Sequence, residues 1–209
     1  MKIAIITCHN QPDYIRAVTL RRSLQALPDT EVIVIKNRHR GVLRYPEMIL
    51  RLISLRLRHR PDTYVLTFRG YELLPFMAIL TWPKTLIYDE LINPIEWLQE
   101  PRTQLWAKLL PTWLLKPFYR LLLLRCKIVL TDTPAHSKYV SKLMNLHTKR
   151  FMDIAVGTDQ RLFKPSERQP SKPFRVFYYG SMLPLHGLPV VLDAILQLKH
   201  LPIDFVLLG

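Results

Sequence analysis

The 209-residue sequence is poor in cysteine: its only two, Cys8 and Cys126, stand far apart and in no paired motif. This scarcity excludes a disulfide scaffold or a cysteine-rich zinc site, and it fits a reducing compartment. The sequence also lacks an uncharged apolar run of the roughly 18 residues that a spanning helix needs. Its N-terminal apolar run is shorter than the roughly 7–15 residues at the centre of a signal peptide. We therefore expect a cytoplasmic protein without a transmembrane span.

Acidic residues are scarce as well, with 16 Asp and Glu against 30 Lys and Arg, so the net charge is +14. Such a balance indicates a polyanionic partner, which could be nucleic acid, an anionic lipid surface or a phosphate-bearing substrate, or else only a basic surface. The basic residues are not interleaved with aromatic ones as in known nucleic-acid modules, so we expect no nucleic-acid partner. No pattern resembles a metal triad or a nucleophile elbow.

Strand-like and helix-like runs alternate along the chain. Predicted helices cover residues 13–27, 45–59, 71–80, 102–124, 135–144 and a run from 188; predicted strands cover 2–7, 31–35, 63–67, 85–88, 127–131, 151–156, 174–179 and 203–208. Short β-branched strands that alternate with helices predict an α/β fold with a doubly wound parallel sheet. Residues 164–173 hold three prolines and two serines and read as a linker. We therefore predict a Rossmann-like domain over 1–163 and the first β-α-β of a second one over 174–209.

Three motifs appear in order along the chain. They read VLTDTPAHSKY at 129–139, VGTDQRLFKP at 156–165 and FYYGSMLPLHG at 177–187. They resemble the patterns D-T-x-x-H-x-x-Y, G-x-D-x-x-x-F-x-P and Y-G-S-x-x-P-x-H-G of the retaining glycosyltransferase family 4, the glycosyl transferases group 1. Two Rossmann-like domains joined by a linker are also the architecture of GT-B glycosyltransferases. The resemblance covers the whole chain.

The resemblance implies a GT-B enzyme that transfers a sugar from a nucleotide-diphosphate donor to a saccharide or lipid-linked acceptor in polysaccharide biosynthesis. It also implies retention at the anomeric carbon and no metal or other cofactor. The family's donor domain normally continues and supplies a pair of glutamates spaced eight apart, which this sequence does not reach. We therefore expect a truncated glycosyltransferase, or one whose donor domain is completed by a second chain. The alternative is a catalytically inactive domain that acts as a membrane- or partner-binding scaffold.

The loop after the strand at 174–179 is the candidate site for the donor diphosphate. Gly180 and Gly187 flank it, and a backbone without Cβ atoms at a helix N-terminus allows N–H groups to approach an anion. Ser181 and His186 stand where many relatives have Arg or Lys, and His186 can donate a hydrogen bond to phosphate. The alternative is an ordinary strand-to-helix turn with a histidine that caps a carbonyl.

Polar residues also follow three strands of the first domain. Asp89 and Glu90 follow the strand at 85–88, where they could bind sugar hydroxyls or act as a catalytic base; the alternative is a solvated acidic pair or a helix start. Arg69 and Glu72 follow the strand at 63–67, and Asn10 follows the first strand. We predict these three on the acceptor side; the alternative for Arg69 and Glu72 is a strand-exit turn with a helix-capping carboxylate.

The segment 105–127 is rich in Leu and Trp, and all of its charges are positive. That composition is typical of an interfacial helix on an anionic membrane. Arg44, Arg51 and Arg58 are spaced seven apart and could extend a basic face. We therefore expect a peripheral position on the inner face of the membrane; the alternative is a core helix pair with a solvated basic edge.

Overall fold

A computed structural model describes residues 1–99, 111–159, 161, 163–165, 167, 173–180 and 187–209. The chain divides into two compact units, Met1–Leu162 and Phe163–Gly209, which we call unit 1 and unit 2. The linker predicted over 164–173 lies largely outside the described residues.

Unit 1 is built on one parallel sheet of six strands, which confirms the prediction of a doubly wound α/β fold. The strands follow the spatial order β2-β1-β3-β4-β5-β6 and cover β1 Lys2–Thr7, β2 Glu31–Lys36, β3 Thr63–Thr67, β4 Thr85–Asp89, β5 Ile128–Thr131 and β6 Phe151–Asp153. From β1 the chain passes to β2 on one side and then returns to β3 on the other. The carboxyl ends of β1 and β3 therefore flank a topological switch point, where open α/β sheets bind ligands.

Six helices cover the described part of the sheet. They are α1 Ile15–Gln25, α2 Arg44–Arg58, α3 Leu74–Leu80, α4 Pro94–Gln99, α5 Thr112–Arg125 and α6 Pro134–Met144. Because successive strand residues point to opposite faces, β1 sends Ala4 and Ile6 into a large core with α2, α3, α5 and α6. Ile3 and Ile5 enter a smaller cluster, against which Leu24 of α1 packs.

Two predicted elements differ from the structure in extent. The helical region predicted over 102–124 is described only from Thr112, where α5 begins. The strand predicted over 151–156 ends at Asp153. The next residue, Ile154, still donates its N–H to the Thr131 carbonyl at 2.8 Å, but its own carbonyl accepts from the Arg16 guanidinium at 2.6 Å.

Unit 2 contains the predicted β-α-β: β7 Phe174–Tyr179, helix α7 Leu188–Leu198 and β8 Ile203–Leu208, with the strands paired in parallel. No residue of α7 is buried. None of the helices in the described ranges is long and apolar enough to cross a membrane.

Candidate functional site

The backbone leaves β3 in a strained conformation at the switch point. Phe68 and Arg69 have φ values of 30° and 52°, in the left-handed region that residues with a Cβ rarely adopt. The Phe68 ring stacks on Tyr14 with 4.1 Å between centroids and meets His9 edge-on at 4.9 Å. Two consecutive residues of this kind cost energy and persist only where surrounding contacts hold them, which is common at functional sites.

A hydrogen-bonded network joins the exits of β1 and β3 through the start of α2. Arg44 donates from Nη1 to Asn10 Oδ1 at 2.8 Å and from Nη2 to Glu72 Oε2 at 3.0 Å. The Tyr45 hydroxyl, which also accepts from Arg44, donates to the same Glu72 oxygen. Gly41 adds a backbone N–H to Asn10 Oδ1 at 3.1 Å. We call Asn10, Arg44, Tyr45 and Glu72 the switch-point network.

Two of the three residues predicted on the acceptor side, Asn10 and Glu72, thus meet in one network. The third, Arg69, directly precedes the 3-10 turn Gly70–Glu72. Its guanidinium forms no ion pair with any described residue, and its Nε is buried without a hydrogen-bond partner. Sequence reasoning missed Arg44 as a member of the site. Its position at a helix start, after a predicted loop, was the available signal.

The prediction that Arg44, Arg51 and Arg58 share one basic face is wrong for Arg44. Its side chain is only 10% exposed because it bridges Asn10 and Glu72. Arg51 forms an ion pair with Glu47 at 2.9 Å, and Arg58 is exposed. The helical spacing is as predicted, but the tertiary contacts of the first turn of α2 turn Arg44 inward.

At the switch point the charges of Arg44 and Glu72 pair with each other, and burial favours the neutral forms of Cys8 and His9. Burial raises the pKa of Cys8 to about 11, although the nearby Arg44 opposes this, so the thiol stays protonated. Burial also lowers the pKa of His9. Arg38 and Arg40, in the loop between β2 and α2, form no salt bridge with a described residue. The site can therefore bind a polar ligand that carries negative charge.

Asp89 lies at the carboxyl end of β4 but is fully buried in a structural ion pair. Its Oδ1 accepts from Arg16 Nε at 2.8 Å, and its Oδ2 accepts from the Phe68 N–H at 3.2 Å. Burial raises the pKa of Asp89, and the Arg16 guanidinium opposes that rise. Arg16 also donates to the carbonyl of Thr131 at 3.0 Å. Contact between Asp89 and sugar hydroxyls would require exposed oxygens, which this geometry does not provide.

Glu90 is likewise fully buried. Its Oε1 accepts from Asn93 Nδ2 at 2.7 Å, whereas its Oε2 is buried without a hydrogen-bond partner in the described part of the chain. Burial raises the pKa of Glu90 to about 7, and the hydrogen bond from Asn93 opposes the rise. The alternative of a solvated acidic pair is wrong for both residues. A catalytic role of Asp89 or Glu90 stays a prediction, and their burial argues against direct contact with substrate.

In unit 2, the structure describes only the two ends of the predicted donor loop, Gly180 and Gly187. Gly180 donates its N–H to the carbonyl of Leu208 at 3.0 Å. Gly187 adopts a φ of 71° directly before α7, and a Cβ there would meet no heavy atom within 4 Å. Ser181 and His186 lie outside the described residues. The binding of a diphosphate by this loop stays a prediction.

The other two motifs make structural contacts within unit 1. Asp159 accepts from Arg22 of α1 at 2.9 Å and from Arg161 at 3.0 Å, so it ties the end of unit 1 to α1. In the motif at 129–139, Asp132 pairs with His136 at 2.7 Å across one turn of α6. Thr133 caps the same helix by accepting from the His136 N–H at 3.2 Å. Over the described ranges, no group of three or more His, Cys, Asp or Glu side chains could hold a metal ion.

The fold defines the class of protein: an α/β protein of the GT-B type. No family model and no curated protein matches the sequence. Among solved structures, the chain is similar to HepE of Anabaena in complex with UDP and glucose, with a TM-score of 0.62 and 14% identity over 99% of this chain and 60% of that one. It is also similar to the UDP-GlcNAc 2-epimerase of Methanocaldococcus jannaschii, with a TM-score of 0.50 and 11% identity over 98% of this chain and 65% of that one. The chain therefore spans less than two thirds of either protein.

Proposed function

We propose that the chain is part of a nucleotide-sugar-dependent glycosyltransferase, in which unit 1 binds the acceptor and unit 2 contributes to the donor site. The single observation that carries the proposal is the similarity of nearly the whole chain to HepE, a protein solved with UDP and glucose. The fold occurs in proteins of both reactions and cannot decide between a transferase and an epimerase. The motif resemblance favours the transferase. The reaction proceeds with retention and without a metal ion or other cofactor.

The acceptor, a saccharide or lipid-linked saccharide, binds at the switch-point network. Carboxylate, amide and hydroxyl groups held by mutual hydrogen bonds can be placed rigidly against sugar hydroxyls, which lowers the entropic cost of reaching a reactive geometry. Asp89 contributes as a positioning residue, since it holds the Phe68 N–H and Arg16 behind this site. The donor diphosphate binds at the N-terminus of α7, where free backbone N–H groups and the left-handed Gly187 favour an anion.

Unit 1 also contacts an anionic membrane, through a surface that we call the outer apolar face. It consists of exposed side chains on α2, α3 and α5: Leu50, Ile53, Leu57, Phe76, Ile79, Trp113, Leu114, Phe118 and Leu121. These helices pack in one layer on the same side of the sheet. Every charge on α5 is positive. Exposed apolar side chains with basic neighbours are the composition of a membrane-binding surface.

Calorimetric titration of the full chain with UDP and GDP tests the donor half of the proposal. We expect one nucleotide to bind and Gly187→Ala to weaken binding by at least ~10-fold, because a Cβ obstructs the diphosphate and strains a positive φ. Gly41→Ala is the matched control, since Gly41 also has a positive φ, of 60°, and open space around a Cβ. The proposal would be contradicted if neither nucleotide bound, or if the two variants lost the same amount of nucleotide affinity.

A further inference from the structure

An apolar cavity of about 230 Å³ lies in unit 1 between α3, α4 and α5. Its lining includes Pro75, Ile95, Leu98, Leu115, Phe118 and Tyr119. No charged side chain of the described residues lines it. The volume exceeds the roughly 150 Å³ of an apolar protein cavity that stays dry and binds benzene. A cavity of this size and lining suits a hydrocarbon ligand.

We propose that this cavity binds the hydrocarbon chain of an acceptor lipid whose head group is anionic. That the lipid is an acceptor rests on the function proposed above, whereas the binding of a lipid with an anionic head group does not. The lining of the cavity supports the inference, because it includes a residue of the outer apolar face and a residue of the 3-10 turn that contains Glu72. Phe118 lines the cavity and is half exposed on the outer apolar face, so a chain can enter from a bilayer without crossing water.

One lining residue of the cavity is adjacent in sequence to the switch-point network. Tyr71 lines the cavity and belongs to the 3-10 turn Gly70–Glu72, whose last residue accepts hydrogen bonds from Arg44 and Tyr45. A lipid with its chain against Tyr71 therefore holds its head group close to the proposed acceptor site.

Two basic residues, Arg69 and Lys116, lie close in sequence to lining residues and favour an anionic head group, against one exposed acidic residue, Glu96 of α4. Arg69, immediately before the Tyr71 turn, has a guanidinium with no partner among the described residues and a buried Nε that no acceptor reaches. A phosphate group supplies the acceptor oxygens that such a guanidinium lacks. On α5, Lys116 is exposed and forms no ion pair with a described residue. A cationic head group would meet repulsion from the same residues.

The full chain is titrated with decyl phosphate, decyl glucoside and inorganic phosphate, all below micellar concentration and without nucleotide sugar. We expect decyl phosphate to bind at least ~10-fold more tightly than either of the others. Equal affinity for decyl phosphate and inorganic phosphate would overturn the role of the chain. Equal affinity for decyl phosphate and decyl glucoside would overturn the anionic head group.

A pair of substitutions locates the chain. Leu115→Trp fills the cavity, whereas Leu27→Trp changes the same residue type at an exposed position after α1 that does not line the cavity. We expect the first to weaken decyl phosphate binding at least ~10-fold and the second to leave it unchanged. Equal effects of the two would overturn the assignment.

A crosslinking experiment on the wild-type chain gives the same answer if Leu115→Trp does not fold. A decyl phosphate with a diazirine at the end of its chain should label peptides within residues 71–75, 94–98 or 112–122, and labelling confined to other peptides would overturn the inference. The two proposals fail separately. If decyl phosphate binds in the cavity but no nucleotide binds, the proposed transferase function is contradicted and the lipid site stands. If a nucleotide binds but decyl phosphate does not, only the cavity assignment is contradicted.

Discussion

At the residue scale, the central feature of this protein is a buried ion pair. The ion pair between Arg16 and Asp89 has almost no exposed surface, and its remaining hydrogen bonds run to the carbonyls of Thr131 and Ile154 and to the Phe68 N–H. One pair thus connects α1 with the ends of β3, β4, β5 and β6. Removing one member of a buried pair leaves the other charge without compensation, which costs far more than the pair itself contributes.

Asp89→Ala should therefore destabilise unit 1 by about 3–5 kcal/mol, measured by urea unfolding. Asp13→Ala is the matched control, because Asp13 also pairs with cations, at 2.6 Å from Lys36 and 3.4 Å from Arg21, but is half exposed. Exposed pairs contribute only about 0–1 kcal/mol. Similar losses in the two variants would show that burial of the Asp89 pair is not what determines its importance.

Glu90 should make stability depend on pH in the direction opposite to an ordinary paired carboxylate. Burial raises its pKa from 4.5 to about 7 in the folded chain, so the folded state binds more protons than the unfolded state between those values. Stability from this group is then fully present below pH 4.5 and is lost as the pH rises through 7. Glu90→Gln should remove this loss and be more stable than wild type at pH 8 by roughly 1–3 kcal/mol.

Glu47 provides the control of opposite sign. Burial opposes its charge, but N–H groups of His39 and Arg38, the His39 ring and Arg51 lower its pKa to about 2. Its contribution is present above pH 4.5 and is lost as the pH falls toward 2. The pH dependence of thermal unfolding between pH 5 and pH 8 should therefore change in Glu90→Gln, whereas Glu47→Gln should lower stability equally across this range and leave the pH dependence unchanged. A wild-type pH profile unchanged by Glu90→Gln would refute the account of Glu90.

At the residue scale, sequence reasoning found positions more reliably than roles. Asn10 and Glu72 were placed at one sheet edge because each follows a strand of a parallel sheet, and they do meet. Their connection through Arg44 depends on how the first turn of α2 packs, which no local pattern encodes. The burial of Asp89 is of the same kind, because its partner Arg16 lies 73 positions away in sequence.

At the element scale, α5 combines two environments on one helix. Tyr119, Leu122 and Leu123 are buried in the core, whereas Trp113 is 75% exposed and Leu121 62% exposed. The sequence predicted an apolar and basic helix here: one side packs as a core helix, and membrane contact through the other, exposed side stays a prediction. Composition alone cannot separate the two sides, because apolar residues occur on both.

Replacing Trp113 and Leu121 together by Gln should weaken co-sedimentation with vesicles of phosphatidylglycerol and phosphatidylcholine. Burial of each side chain in the bilayer contributes about 1.5–3 kcal/mol, so the loss should be at least ~10-fold. Leu27→Gln is the control, because Leu27 is 45% exposed but follows α1, the helix on the other face of the sheet. Membrane contact through α5 would be contradicted if the wild type did not bind the vesicles at low salt, or if the double variant bound them as well as the wild type.

At the scale of the whole molecule, the class of fold could be predicted but its strand order could not. Alternation of buried strands with helices requires crossover connections and hence a parallel sheet. The order β2-β1-β3-β4-β5-β6, and with it the switch point, depends on the side to which each crossover turns. The donor loop shows the limit of a motif, since the motif located Gly180 and Gly187 between a strand and a helix, but the binding of a diphosphate there stays a prediction.

The central claim is glycosyl transfer by a protein that binds a nucleotide sugar and an anionic lipid acceptor. The most direct measurement is mass spectrometry of the full chain's products after incubation with a panel of UDP- and GDP-sugars and a membrane lipid extract. The account predicts release of UDP or GDP with one donor, matched one to one by a lipid heavier by one sugar. Binding of both nucleotide and decyl phosphate without any such product would contradict it and favour a catalytically inactive scaffold.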